Sequence, residues 1–430
     1  MAADDRTAGD RTGDGRQRAA RDGPPPLGAA FWRLWTSAAL SNLADGIFKV
    51  ALPLVAVRFT DSPTLIAGLT FALTLPWLFF ALPAGALADR LDRRRMMLGA
   101  NTVRAVLPAV LAVAALTGAG SLWVLYAVAV CVGVTETVYD TSAQSILPQV
   151  VPRERLSRAN GRLHAAELTA NEFVGPPLGG FLVAAAAAAA FAAPVALWAA
   201  AVAALLLVRG PFRIERERNT TVRGDIAEGL RFLRRHRLLR TLAAMVGVAN
   251  FATSATWAVL VLYAVGPGSA MGLSEPAYGL LLTAAAAGSL VGSLVAERVE
   301  RALGRARSLA LTVLVGVPFL GAPAVTADPF AIGAAFFAGG LSIAVWNVIT
   351  VSLRQRVTPD RLLGRVNSVY RLLAWGTMPL GAAAGGLLAQ FSGLRAVFAA
   401  MALLTLARLA GMLVVTDRAM DAAERDAGRS

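Results

Sequence analysis

Two short stretches place carboxylates where water is scarce. NLADGIFKVAL (42–52) carries Asp45 and Lys49 inside an apolar run, and VTETVYD (134–140) carries Glu136, Tyr139 and Asp140 inside another. A charge at the centre of a bilayer helix costs about 2.5–3.5 kcal/mol on insertion scales, so an acid kept there is a functional candidate by default. Asp45 and Lys49 stand i, i+4 on a helix, where they can pair and offset part of that cost. Glu136, Tyr139 and Asp140 are three or four apart and share roughly one helical face. A carboxylate so placed can take up and release a proton as its surroundings change, and Asp45, Lys49 and Glu136 are the candidates for such coupling. A purely structural intrahelical ion pair is the alternative for Asp45 and Lys49. Glu167 and Glu172 lie on a further run, Glu167 near its polar end, where a neighbouring arginine can pair with it. Arg104 reads as a structural partner for an acid.

Such residues need membrane-crossing helices to hold them, and the composition supplies these. The chain has 430 residues, 56% of them hydrophobic and 16% charged, with a mean hydropathy of +0.59. Apolar runs of about 20 residues recur, each long enough to cross a bilayer as a helix. They fall at 33–57, 64–86, 97–117, 121–146, 162–184, 188–208, 239–264, 277–297, 308–326, 330–352, 366–390 and 394–415. The alternating ten-residue segments of a transmembrane barrel are absent. The fold class is therefore an all-α membrane protein with twelve transmembrane helices.

The net charge of +14 could suggest nucleic acid, but the arginines cluster between spans at 90–95, 153–162, 209–240, 298–307 and 354–365. The intervening connections are short and nearly uncharged. A positive-inside bias gives this pattern and puts both termini in the cytoplasm of a multi-pass protein of the inner (cytoplasmic) membrane. Lys49 is the only lysine, and Cys131 the only cysteine, which excludes an intrachain disulfide. With two histidines, His164 and His236, no metal site is expected, and no cofactor either. A G-x-x-x-x-G-K-[ST] loop is missing, as is a nucleophile–His–acid arrangement, so the chain does not read as an enzyme.

PRERLSRAN (152–160) resembles PDRLLGRVN (359–367) at an offset of 207, with Arg158/Arg365 and Asn160/Asn367 in register. At that offset GSLVAERVERALGRAR (292–307) is a decayed copy of GALADRLDRRR (85–95). Two parallel six-helix halves follow, the architecture of a transporter with a site between them. The expected organisation is a disordered N-terminus over 1–30, a first half over 31–208, a basic linker over 209–238, a second half over 239–416 and a polar tail over 417–430.

The loop GALADRLDRRR, G-x-L-A-D-R followed by Arg-Arg between spans two and three, resembles the signature loop of the major facilitator superfamily, with Asp92 where that family usually has a second glycine. The resemblance covers nearly the whole chain. It implies a conformational latch of Gly85, Asp89, Arg90, Arg93 and Asp140. In it Asp89 meets a helix start of the other half near span eleven, and Arg93 meets an acid at the end of span four, where Asp140 is placed. NEFVGPPLGG (171–180) resembles the superfamily's exporter motif through Gly175, Pro176, Gly179 and Gly180, with Asn171 departing from it. Its expected partner is the Gly288/Gly292 pair of span eight. In the superfamily spans one, four, seven and ten line the cavity, which picks out Asn250, Trp257, Trp346 and Asn347 as substrate contacts. LPQVVPRERLSRANGRL (147–163) resembles the siderophore and macrolide exporter branch.

The function this implies is a monomeric secondary active transporter. It would export a small organic molecule (drug, siderophore or secondary metabolite) in exchange for protons. Its partners would be that molecule, protons and the lipid bilayer, with no nucleic acid. A proton-coupled importer and a non-transporting membrane sensor or scaffold are the alternatives.

Overall fold

The computed structural model describes residues 27–152, 155–210, 212, 222–266 and 268–427. Most of the expected N-terminal segment, and linker residues 213–221, lie outside them. The first half contributes α1 (Ala29–Ala56), α2 (Pro63–Arg90), α3 (Arg93–Thr117), α4 (Leu122–Val150), α5 (Leu156–Glu167), α6 (Gly175–Ala185) and α7 (Ala187–Leu206). The linker carries α8 (Val222–Arg235). The second half follows as α9 (Arg237–Ala264), α10 (Glu275–Leu303), α11 (Arg305–Val325), α12 (Pro329–Val357), α13 (Asp360–Trp375), α14 (Thr377–Ser392) and α15 (Leu394–Ala407), then α16 (Asp417–Ala427).

Eleven helices among the described residues are long and apolar enough to cross a membrane. The twelfth crossing is α5 and α6, joined by a π-helical turn over Leu168–Val174. Pro176 and Pro177 cause the break, since neither offers an N–H and each ring clashes with the carbonyl four residues back. One carbonyl so freed, Phe173 O, accepts the Thr283 hydroxyl of α10 at 3.4 Å. The eleventh crossing breaks in a similar way between α13 and α14, three residues ahead of Pro379.

The buried apolar core explains how the halves meet. At the charge-poor end a single cluster joins residues of both halves, from Phe48, Leu69 and Val128 to Leu260, Phe336 and Phe398. At the arginine-rich end the core divides in two. One body belongs to the first half, around Phe31, Met97 and Ile146, and one to the second, around Leu242, Trp346 and Val415. Polar and aromatic contacts also join the halves. Arg58 pairs with Glu275 at 3.5 Å, and the Ser62 hydroxyl meets Gln390 at 3.2 Å, both at the charge-poor end. Near mid-depth Trp77 and Trp375 meet edge to face at 4.6 Å, and nearer the arginine-rich end Arg371 donates to Gln144 at 2.6 Å.

The arginine-rich ends of the halves are built alike. Asp92 caps α3 by accepting the Arg95 N–H at 3.0 Å, and its other oxygen accepts the Phe212 N–H at 3.1 Å. In the decayed copy of that loop the cap is Gly304, which has no side chain to offer. There Asp417 of α16 accepts the Ala306 N–H at 3.0 Å, while Arg305 binds both Asp421 and Glu424 and Arg356 binds Glu424 at 3.1 Å. The polar tail is thus a helix pinned across the ends of α11 and α12.

Candidate functional site

The intramembrane charges of the first half sort into two ion pairs, neither of them the i, i+4 pair expected from spacing. Arg104 of α3, fully buried, lies 3.4 Å from Asp45 Oδ2. It also donates to the Ser41 hydroxyl at 3.4 Å and stands over the Tyr139 ring at 5.3 Å. Lys49 reaches across to α4 and donates to Glu136 Oε1 at 2.9 Å. One turn of helix separates Asp45 from Lys49, but the space between α1, α3 and α4 gives each a better-oriented partner on another helix. Arg104 is the acid partner that its type suggested.

The two pairs differ in access. The Asp45 and Arg104 side chains are 6% and 0% exposed, whereas Lys49 is 35% exposed beside Glu136 at 12%. Asp45 Oδ1 and two guanidinium nitrogens of Arg104 are buried without a hydrogen-bond partner. In a pair so incompletely satisfied, the Coulomb attraction between the two groups only partly offsets the cost of desolvating them. Asp140 completes the carboxylate group one turn from Glu136. Glu167 lies 3.4 Å from His164 Nδ1, and Glu172 is an exposed member of the π-helical turn.

Of the expected latch, the side chains of Gly85, Asp89 and Arg90 lie outside the described residues. Arg93 opens α3 and is buried, with its backbone N–H on Phe212 O at 3.3 Å. Asp140 sits on α4 beside the charge group.

The glycine motif is a two-sided joint. Gly175 packs on Gly46 and Gly179 on Ile47 and Val50, all of α1, and a Cβ on Gly175 would collide with the Gly46 backbone. Gly180 faces the other way, against Glu275 and Pro276 of α10, while Pro176 meets Gly279. Span eight is the expected partner, but through Glu275–Gly279. Gly288 and Gly292 instead let α10 approach Phe337 and Leu341 of α12. Gly46, directly after Asp45, went unread in the sequence. Only a close helix crossing reveals its role, and a lone glycine in an apolar run does not announce one.

Among the cavity candidates, Asn250 donates to Ala374 O at 2.8 Å and so holds α13 at the break before α14, aided by Ser254 on Met378 O at 2.7 Å. That is structural work, explained by the carbonyls freed there. Trp257 packs with Phe336 at 5.2 Å and Phe319 at 6.3 Å, within the second half. Asn347 is exposed. Trp346 is buried with its Nε1 unpartnered, and the guanidinium of Arg408 lies 5.1 Å from its ring centre. A cation–π contact contributes roughly 0.5–2 kcal/mol, less than the several kcal/mol that burying a charge costs.

Comparison with known proteins places this geometry. The family described as transmembrane secretion effector matches residues 25–429. The chain is 28% identical over 386 residues to the multidrug efflux pump Tap of Mycolicibacterium fortuitum, covering 85% of this chain and 91% of that protein. It is 27% identical over 353 residues to the enterobactin exporter EntS of Salmonella typhimurium, covering 79% and 81%. Among solved structures, a bacterial homologue of the iron transporter ferroportin in an inward-facing state superposes with a TM-score of 0.72 at 17% identity, over 90% of this chain and 99% of that one. The nucleoside transporter NupG superposes with a TM-score of 0.71 at 11% identity, over 90% and 100%.

Proposed function

The chain belongs to the transmembrane secretion effector family of the major facilitator superfamily, and on that footing we propose that it exports a small organic molecule in exchange for protons by alternating access. It is a membrane transporter of small molecules and not an enzyme. Direction rests on the names of two relatives, a multidrug efflux pump and an enterobactin exporter. The observation that carries the access reading is the division of the core: continuous across both halves at the charge-poor end, split by half at the arginine-rich end. With the arginine-rich end in the cytoplasm, this is a state open inward.

In that state cargo enters between the halves, beside the partly exposed Lys49–Glu136 pair. Rocking about the joint of Gly175–Gly180 then opens the charge-poor seam, which requires the Arg58–Glu275 and Ser62–Gln390 contacts to part. Protons arriving from outside neutralise Asp45 and Glu136, loosening their hold on Arg104 and Lys49 and favouring return. A few weak contacts on each side suffice, because a ligand shifts such an equilibrium only by its differential affinity for the two states.

The test compares intracellular and extracellular metabolites in cells lacking the gene, carrying it, and carrying Asp45→Asn. A compound retained without the protein, released with it and retained again in Asp45→Asn names the cargo and supports coupling at Asp45. Accumulation inside only when the protein is present would reverse the direction to import. Equal pools in all three would leave a non-transporting sensor.

A further inference from the structure

The second half carries a cationic cluster that no acid answers among the described residues. Between residues 239 and 416 the only acids are Glu275, Glu297, Glu300, Asp328 and Asp360. Glu275 and Asp328 stand at the charge-poor end, paired with Arg58 and capping α12. Glu297 and Glu300 face the cleft beside α16, and Asp360 opens α13. Toward the arginine-rich end, Arg354 of α12 stacks on Tyr370 at 4.0 Å, and its Nε donates to Asn367 Oδ1 at 2.8 Å. Arg408 rests on Trp346. Tyr370 lies within electrostatic reach of both arginines. Neither arginine forms an ion pair with a carboxylate among the described residues.

The two aromatic floors are buried, Trp346 at 6% and Tyr370 at 7% exposed, while both arginines keep part of their surface open. Arg408 Nε and Trp346 Nε1 are buried donors with no acceptor. The first half gives the contrast. At the repeat offset Trp346 stands where Tyr139 stands, and each ring carries an arginine. In the first half Asp45 answers that arginine, whereas the matching position in the second half is Ala252. Donors without acceptors, on an aromatic floor, are the arrangement that recognises an oxyanion on a planar or amphipathic molecule.

We infer that Arg354 and Arg408, seated on Tyr370 and Trp346, form an oxyanion subsite that takes a carboxylate, phosphate or ionised phenol entering from the arginine-rich side. The inference rests on the transport reading for its meaning, since it gives the cargo an anionic aromatic end. The same chemistry could also be met by the phosphate of a lipid headgroup.

The experiment is equilibrium binding to the full chain in nanodiscs of neutral phosphatidylcholine, with 2,3-dihydroxybenzoate as the anionic probe and tetraphenylphosphonium as the cationic control. Arg354→Gln and Arg408→Gln are each expected to weaken the benzoate at least about tenfold, the size of one lost charge-assisted hydrogen bond, and to leave the phosphonium unchanged. Arg408→Lys should restore part of the loss. A second arm adds phosphatidylglycerol to the discs. Thermal stabilisation by that lipid, lost in both Gln variants while benzoate binds none of the proteins, keeps the oxyanion site and assigns it to lipid. Benzoate and lipid responses equal in wild type and both variants overturn the inference. Should Arg408→Gln fail to fold, Arg354→Gln, near the exposed end of α12, carries the same comparison. Binding needs no flux, so a chain that binds the benzoate yet exports nothing fails the transport reading and not this one.

Discussion

Arg104 is the residue on which the first half's charge group turns. Replacing it by Gln leaves the Asp45 carboxylate buried without its partner, and breaking a buried pair from one side costs about 3–5 kcal/mol. The expected outcome is a clear fall in the thermal unfolding midpoint in detergent. Asp45→Asn in the same chain should recover most of that loss, because both charges are then gone. A single-site effect that the second substitution does not relieve would mean the two do not act as a pair. The type of each intramembrane acid was visible in NLADGIFKVAL and VTETVYD, and so was the role of Arg104 as an acid's partner. The pairing was not, because the spans are apolar on nearly every side, and their periodicity does not say which face meets which neighbour. The bond from Asn250 to Ala374 O was hidden for the same reason: only the break at Trp375–Thr377 shows that a carbonyl there needs a donor.

At the scale of elements, the joint of Gly175, Gly179 and Gly180 decides how closely the fifth crossing approaches α1 and α10. Gly180→Leu would drive a side chain into the Glu275 backbone, so the sealed charge-poor end should be disfavoured. In a Cys131→Ala background, a cysteine placed at Ser62 is then expected to react several-fold faster with a membrane-impermeant maleimide, and flux should fall. Unchanged labelling would mean that this seam does not hold the halves together.

The tail helix α16 acts on another element. Asp417→Ala removes the acceptor that caps α11 and should lower stability by about 1 kcal/mol, the usual value of an N-cap, read as a drop in unfolding midpoint. Pro176 and Pro177 mark a break in the fifth crossing, but not its π-helical turn. The freed carbonyl's answer from Thr283 depends on a helix of the opposite half, which local sequence does not specify.

A third element-level expectation concerns pH. His236 caps α9 by accepting the Leu239 N–H on Nδ1 at 3.4 Å, which requires a neutral ring. Burial holds its pKa below the ordinary 6.5, outweighing Asp426. A folded-state value below the unfolded one means its contribution is complete above about 6.5 and declines as pH falls from there toward the folded value. His236→Asn, a cap that does not titrate, should flatten the stability profile in that window, as unfolding scans between pH 5 and 8 would show.

For the whole molecule, hydropathy runs and the 207-residue repeat made the twelve crossings and the two halves legible, with ends within a few residues for most spans. The state of the molecule was not legible. The proposed inward-open reading rests on how the core divides, one body at the charge-poor end and two at the other, which depends on the angle between halves rather than on either half's sequence. Under the proposed mechanism, Asp45 and Glu136 are the groups that exchange protons for cargo. The most direct measurement is proton release when the exported compound binds the purified protein in weakly buffered detergent. The expected result is release from the wild type and a reduced count in Asp45→Asn and in Glu136→Gln. Binding without release in the wild type, or the same release from both variants, would contradict it.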